Sequence, residues 1–278
     1  MKILVTGVSG QLGYDVCREL ARRGIDHRGV SSREMPLTRR ESVRRCVEDY
    51  GPDAVIHCAA WTKVDAAEEE REACFAVNAE GTRYLAEVCR DRGIRLLYIS
   101  TDYVFPGEGE KPYTADDAAA PKTVYGQSKY AGEQTVRELV EKYFIVRISW
   151  VFGVNGNNFV KTMLRLAESR SELSVVADQI GSPTYTVDMA RLLCDMIVTE
   201  RYGVYLASNE GYCSWAEFAE EIFRQSGKSV KVRHILSEDY PARAPRPKNS
   251  RMDKSALEPF GRLPRWEDAL GRYLKEIG

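Results

Sequence analysis

The stretch ILVTGVSGQLG, Ile3 to Gly13, passes from a short apolar run through a glycine-rich turn into residues spaced for a helix. Ile3–Val5 reads as a buried strand ending at Thr6-Gly7, and Leu12, Val16 and Leu20 then recur on one helical face. Gly7, Gly10 and Gly13 form G-x-x-G-x-x-G between the two. Glycines in such a turn let the chain bend tightly and let its backbone approach a pyrophosphate. The helix start adds free N–H groups and a partial positive charge. Gln11 and Leu12, inside the turn, are candidates for the same contacts. Three glycines alone could serve packing, but their place in a strand–turn–helix unit favours a dinucleotide.

The same rhythm continues downstream. His27–Val30 is a weak second strand, and Thr38-Arg-Arg-Glu41 has the spacing of a capping box ahead of Val43, Cys46 and Val47. Residues 53–60 read as a buried strand, 64–92 as a long helical segment, and IRLLYIS (Ile94–Ser100) as a strand. Residues 125–142 read as a helix and YFIVRISWVF (Tyr143–Phe152) as one strand. Continuous apolar strands separated by helices predict an α/β fold, a Rossmann-type doubly wound parallel sheet over residues 1–153. Past Gly153 the rhythm loosens. Helices are expected over 159–167 and 187–198, strands over 173–177 and 204–207, and a capping box at Ser214-Trp-Ala-Glu217. Residues 154–278 read mainly as a smaller C-terminal α/β substrate lobe, with segments within 171–205 returning to the first sheet. YPARAPRPKNS (Tyr240–Ser250), with its three prolines, reads as an extended surface segment.

Composition excludes some classes of function. A formal charge of −1 gives no global attraction for nucleic acid or anionic lipid. No apolar run approaches the roughly 20 residues of a membrane span, and MKILVTG reads as a strand and not a secretion signal. Seven cysteines, an odd number without a CxxC pair, read as small core residues in a reducing cytoplasm.

Tyr125 and Lys129 are four apart and share one helical face. An ammonium near a phenol favours the ionised form and lowers its pKa from about 10, so such a tyrosine can exchange a proton with a carbonyl oxygen near neutral pH. The pair alone is common on solvated helices. Thr101, ending the strand before it, changes the odds, because a parallel sheet gathers its strand ends and the glycine turn on one edge. At the end of the second strand, Ser31-Ser32-Arg33 suits a 2′-phosphate and points to NADPH. An ordinary solvated arginine is the alternative, and Glu34 leaves NADH open.

These motifs resemble the extended short-chain dehydrogenase/reductases, which work on nucleotide sugars. The resemblance rests on the glycine turn, Ala59-Ala60, Val77-Asn78, Ser100-Thr101 and Tyr125-x-x-x-Lys129. Within them the chain is most similar to the dTDP-4-dehydrorhamnose reductase family, through AAWTKVDAAE, STDYVFPG, YGQSKYAGE, RISWVFG, ADQIGSPTYT and RPKNSRMD. The resemblance implies that Thr101 and Tyr125 bind a 4-keto oxygen, with Tyr125 as proton donor, and that Lys129 holds the nicotinamide ribose. It implies that Asp102 and Tyr103 contact the sugar and that Thr62, Val64 and Trp150 line its site. Ala59, Ala60, Trp61 and Thr62 would border the cofactor, with Ser32 and Arg33 at its far end. Asn158 and Arg246 are candidates for the nucleotide end of the substrate, and Asn78 for bracing the fold.

Related dehydratases carry Thr-Asp-Glu at the strand end, where the carboxyl pair eliminates water. Tyr103 in the third position cannot be that base, so the remaining catalytic set, Thr101, Asp102, Tyr125 and Lys129, suits hydride and proton addition across one carbonyl. The implied partner is a small-molecule nucleotide sugar, with neither nucleic acid nor membrane, and the family leaves room for a homodimer. Alternatives are another nucleotide-sugar reductase, an epimerase, or a non-catalytic nucleotide-binding subunit. Some family members bind magnesium through glutamates at a dimer interface. Those glutamates have no counterpart that can be placed here, and no metal site is assigned. Met35-Pro36-Leu37-Thr38 departs from the acidic stretch common near the adenine in this family.

Overall fold

The structure, a computed structural model, describes all 278 residues. Strands β1 (Ile3–Thr6), β2 (His27–Val30), β3 (Ala54–His57), β4 (Arg95–Thr101) and β5 (Tyr143–Ile148) join Gly203–Leu206 in one six-stranded sheet. The order is Gly203–Leu206, β5, β4, β3, β1, β2, and every pair is parallel. The strands can be apolar throughout because both faces are covered. On one face Val5, Ile56, Leu97 and Val146 belong to a core shared with Val16 and Leu20 of α1 (Gln11–Arg22) and Met189 and Leu193 of the Thr186–Ile197 helix. On the other, Leu4, Val55, Leu96 and Tyr98 share a core with residues of the helices Arg40–Tyr50, Gly81–Arg92 and Val124–Leu139. Each such fully buried aliphatic side chain contributes roughly 1.5–3 kcal/mol.

The chain runs outward from β1 to β2, then returns past β1 to build β3, β4 and β5 on its other side. This reversal puts the topological switch point between β1 and β3, where parallel sheets open a ligand crevice. Gly7 sits there with φ +73°, and a Cβ on it would lie 2.6 Å from Ala59 N. Only glycine meets both demands.

Beyond β5, Val151–Phe152 pairs with Thr184–Tyr185, Glu172–Val176 with Lys231–Ile235, and Ile180–Gly181 with Cys213–Ser214. Phe152, Val160, Phe218, Ile222, Trp266 and Tyr273 form a third core in this part. Ser214 and Glu217 make both hydrogen bonds of a capping box at the start of the Trp215–Ser226 helix. No helix is long and apolar enough to cross a membrane.

Three local expectations are corrected. Thr38 does not cap a helix: the next one begins at Arg40 with no side-chain cap, because Arg39 N–H first turns back to Pro36 O. Residues 64–92 are not one helix. They break at Glu70, whose backbone leaves helical geometry, and contain a π-helical turn at Ala76–Glu80. Tyr143–Phe152 is not one strand, because Trp150 takes φ +46°, the left-handed region that a bulky residue enters only at a cost. That turn ends pairing with β4 and sends Val151–Phe152 into another sheet.

Candidate active site

A cavity of about 1400 Å³ opens along the carboxyl ends of the parallel strands and continues under the C-terminal part of the chain. Its floor is the glycine turn. The first turn of α1 has neither a side-chain cap at Gly10 nor an acidic residue, and Gln11, Leu12 and Gly13 line the cavity. An uncapped helix start with free N–H groups fits a phosphate anion, so the residues present suit a dinucleotide.

His57 fixes the neighbouring backbone. Thr82 donates its proton to Asn78 O at 2.7 Å, so its oxygen accepts from His57 Nε2 at 3.2 Å. His57 Nδ1 therefore accepts from Thr6 Oγ1 at 2.7 Å, and Thr6 Oγ1 accepts Ala59 N–H at 3.1 Å. Every proton in this chain has one place. Burial pushes the imidazole down to about 3, so it stays neutral and holds the ends of β1 and β3 together.

Thr101 ends β4 and is buried; Tyr125 opens the Val124–Leu139 helix. Two contacts fix the start of that helix: Thr123 Oγ1 accepts Gly126 N–H at 3.0 Å, and Glu68 Oε1 accepts Val124 N–H at 2.9 Å. Asn78, projecting from the π-helical turn, braces the region without lining the cavity. It accepts Trp61 N–H at 2.8 Å and donates to Ser128 Oγ at 2.9 Å, one turn from Tyr125. Lys129 Nζ lies 4.0 Å from the centre of the Tyr98 ring, and the Tyr103 ring meets Tyr125 edge-on at 5.5 Å. Thr101, Asp102, Tyr103, Tyr125 and Lys129 all line the cavity.

The electrostatics differ from the expectation for an isolated Tyr-Lys pair. Burial raises the Tyr125 phenol well above its ordinary range, with the Thr101 side chain pulling against the shift. Burial also lowers Lys129 to about 7, opposed by the Glu133 carboxylate. In a low-dielectric pocket each group favours its neutral form, which outweighs their mutual effect.

Asp102 is raised to about 6, chiefly by burial, and its Oδ2 is buried without a partner. The folded protein holds this proton more tightly than the unfolded chain, so stability is lost as pH rises from the ordinary carboxylate range through about 6. Asp102→Asn keeps the acceptor for Thr101 Oγ1, which donates to Asp102 Oδ1 at 3.0 Å. Denaturant titrations should show the variant more stable than the parent by about 1–3 kcal/mol at pH 7.5, with the gap closing towards pH 4. A gap that does not change with pH removes the buried carboxylate as its cause.

The far walls come from the C-terminal part. Trp150 stacks on Trp215 at 3.6 Å between ring centres, and Gly181 passes beneath the Trp150 ring so closely that a Cβ would lie 2.8 Å from it. Arg246 lines the cavity with its guanidinium between Asp65 and the Tyr103 hydroxyl. Ser32, Ala59, Ala60, Thr62 and Val64 also line it. Three candidates do not. Arg33 is exposed, and its neighbours Ser31 and Ser32 line the cavity. Trp61 points its indole N–H back to Lys63 O. Asn158 spends its amide on Gln11, Gly153 and Tyr273 and caps the Phe159–Leu166 helix. Met35, Pro36, Leu37 and Thr38 line the cavity despite their departure from the family pattern, as do Phe159, Met163 and Trp215, which no motif singles out.

A crevice at the switch point of a parallel sheet, covered by the C-terminal part of the chain and lined by threonine, tyrosine and lysine, is the architecture of the extended short-chain dehydrogenase/reductases. The sequence signature described as the RmlD substrate binding domain matches residues 1–278, and the chain belongs to that family. The spore coat polysaccharide biosynthesis protein SpsK of Bacillus subtilis is 43% identical over 99% of this chain and 97% of that one. The dTDP-4-dehydrorhamnose reductase of Streptomyces griseus is 41% identical over 96% and 91%. The crystal structure of the dTDP-4-dehydrorhamnose reductase of Bacillus anthracis in complex with NADP superposes with a TM-score of 0.96 at 45% identity, covering 99% of each chain.

Proposed function

We propose that the protein reduces dTDP-4-dehydro-6-deoxy-L-mannose to dTDP-L-rhamnose, with NADPH or NADH as the donor. The observation that carries this is the meeting of Thr101, Tyr125 and Lys129 with the uncapped start of α1 in one cavity. A nicotinamide cofactor, when bound, supplies the hydride. Gln11, Leu12 and Gly13 would hold its pyrophosphate through backbone N–H groups, and Lys129 would hold the nicotinamide ribose. Thr101 and Tyr125 orient the sugar ketone by hydrogen bonds to its oxygen, and Tyr125 gives that oxygen its proton. The raised phenol suits this role, because a donor must be protonated before the step. A charged Lys129 then stabilises the phenolate left behind. Trp150 and Trp215 offer a flat apolar wall to the sugar end, and Arg246 offers a cation to the nucleotide diphosphate.

Cofactor oxidation tests the reading: the purified protein is given the keto-sugar with NADPH or NADH, with and without chelator, and the product configuration at C4 is read by NMR. Stoichiometric oxidation with formation of the rhamno product is the expected result. Interconversion of sugars without net oxidation would make it an epimerase, and binding without either would make it a non-catalytic module.

A further inference from the structure

The loop between Phe152 and the Phe159–Leu166 helix reaches back to the glycine turn. Asn155 Nδ2 donates to Ser9 O at 3.0 Å and to Gly10 O at 3.1 Å. Asn158 Nδ2 donates to Gln11 Oε1 at 3.0 Å, while its Oδ1 accepts Lys161 N–H at 3.0 Å and so caps the Phe159–Leu166 helix. Lys161 Nζ ties the loop to itself through Val154 O at 2.6 Å and Gly156 O at 2.9 Å. Phe159, Thr162, Met163 and Leu166 of the capped helix line the cavity. Two amide side chains therefore connect the glycine turn to a helix that walls the same cavity.

Other hydrogen bonds also tie α1 to later parts of the chain, Thr186 Oγ1 donating to Asp15 Oδ2 at 2.5 Å and Arg18 to Glu276 at 2.8 Å. The carbonyl of Gly10 and the N–H of Gln11 belong to one peptide unit. An anion held by that N–H polarises the peptide and strengthens the carbonyl as an acceptor. In return, Asn155 holds the turn in the orientation that presents its N–H groups.

We propose that Asn155 and Asn158 are positioning residues through which a cofactor pyrophosphate at the glycine turn and a nucleotide diphosphate in the second lobe strengthen each other's binding. This rests on the function proposed above and adds a coupling to it. Coupling of this kind is reciprocal: whatever factor the cofactor applies to nucleotide affinity, the nucleotide applies to the cofactor.

Calorimetry on the full chain tests it, with dTDP as the probe, in the absence and presence of saturating NADP⁺. In the parent, NADP⁺ should tighten dTDP binding by about fivefold or more. Asn155→Ala and the shape-conserving Asn155→Asp, whose carboxylate would face two carbonyls, should bring that factor below about twofold. Affinity for dTDP alone should stay unchanged, with both KM values raised and kcat retained. Thermal melts confirm that the variants fold. If both ligands bind the parent independently, or if Asn155→Asp keeps the full factor, the inference is wrong. If NADP⁺ does not bind the parent at all, the functional reading fails and the coupling falls with it.

Discussion

Replacing Tyr125 with phenylalanine should lower turnover of the keto-sugar by about 10²–10⁴-fold, the usual worth of a general acid, while cofactor affinity stays within about threefold. In barrier terms this is about 3–5 kcal/mol. The substitution removes one oxygen and keeps the ring, so the edge-on packing against Tyr103 and the burial of the helix start are preserved. A fall in rate therefore reports the lost proton and the lost hydrogen bond to the ketone, not a collapsed pocket. Lys129 would still hold the ribose, which is why binding should survive. The complementary variant, Lys129→Met, should weaken cofactor binding and turnover together, because it removes both a ligand contact and the charge that stabilises a phenolate. Turnover by Tyr125→Phe within tenfold of the parent would dismiss Tyr125 as the donor. The proton would then have to come from another hydroxyl on the cavity floor, with Thr101 the nearest alternative.

The floor of the site is legible in the chain because it depends on two local rules and one global one. Residues four apart share a helical face, glycines permit a tight turn, and a parallel sheet gathers its strand ends at one edge. These rules place Gly7, Thr101, Tyr125 and Lys129 together without knowledge of any other contact. The walls obey no such rule. Trp215 and Phe159 reach the cavity only because the C-terminal part folds back over the sheet, and nothing in their neighbourhoods distinguishes them from core aromatics. Arg33, Trp61 and Asn158 stand outside the cavity lining. Each stands at a plausible position along the chain, but side-chain direction is set by neighbours: Asn158 is consumed as a cap, and Trp61 bends back to Lys63. The single-strand reading of Tyr143–Phe152 fails for a related reason. The apolar run continues across Trp150, and the close approach of Gly181, far along the chain, accompanies a left-handed turn there. Electrostatics is hidden for the same cause. The spacing of Tyr125 and Lys129 is visible, whereas the burial that dominates both groups is a property of the assembled pocket.

Glu133, one helical turn beyond Lys129, should be the most sensitive position for stability. Its carboxylate accepts two hydrogen bonds from Arg147 on β5, at 2.9 and 2.7 Å, and both side chains are almost wholly buried. Glu133→Gln leaves a guanidinium in the interior without its counter-charge. Such a loss costs about 3–5 kcal/mol, a large share of the 5–15 kcal/mol that holds a typical domain together. Removing both charges at once, as Glu133→Leu with Arg147→Met, should recover most of that loss, since a buried pair contributes little net stability over well-packed apolar residues. The double variant also separates structure from function. Among the charges acting on Lys129, Glu133 is the strongest one favouring the cation. Without it, Lys129 gives up its proton at a lower pH, so the alkaline limb of the kcat/KM profile should move towards acid while the fold remains intact. If the double variant regains stability and keeps the parental profile, the pair only packs the helix against the sheet and Lys129 owes its charge to the bound ligands. If stability is not regained, Arg147 supports the fold by other contacts, of which its stacking 4.8 Å over Phe105 is the first to examine.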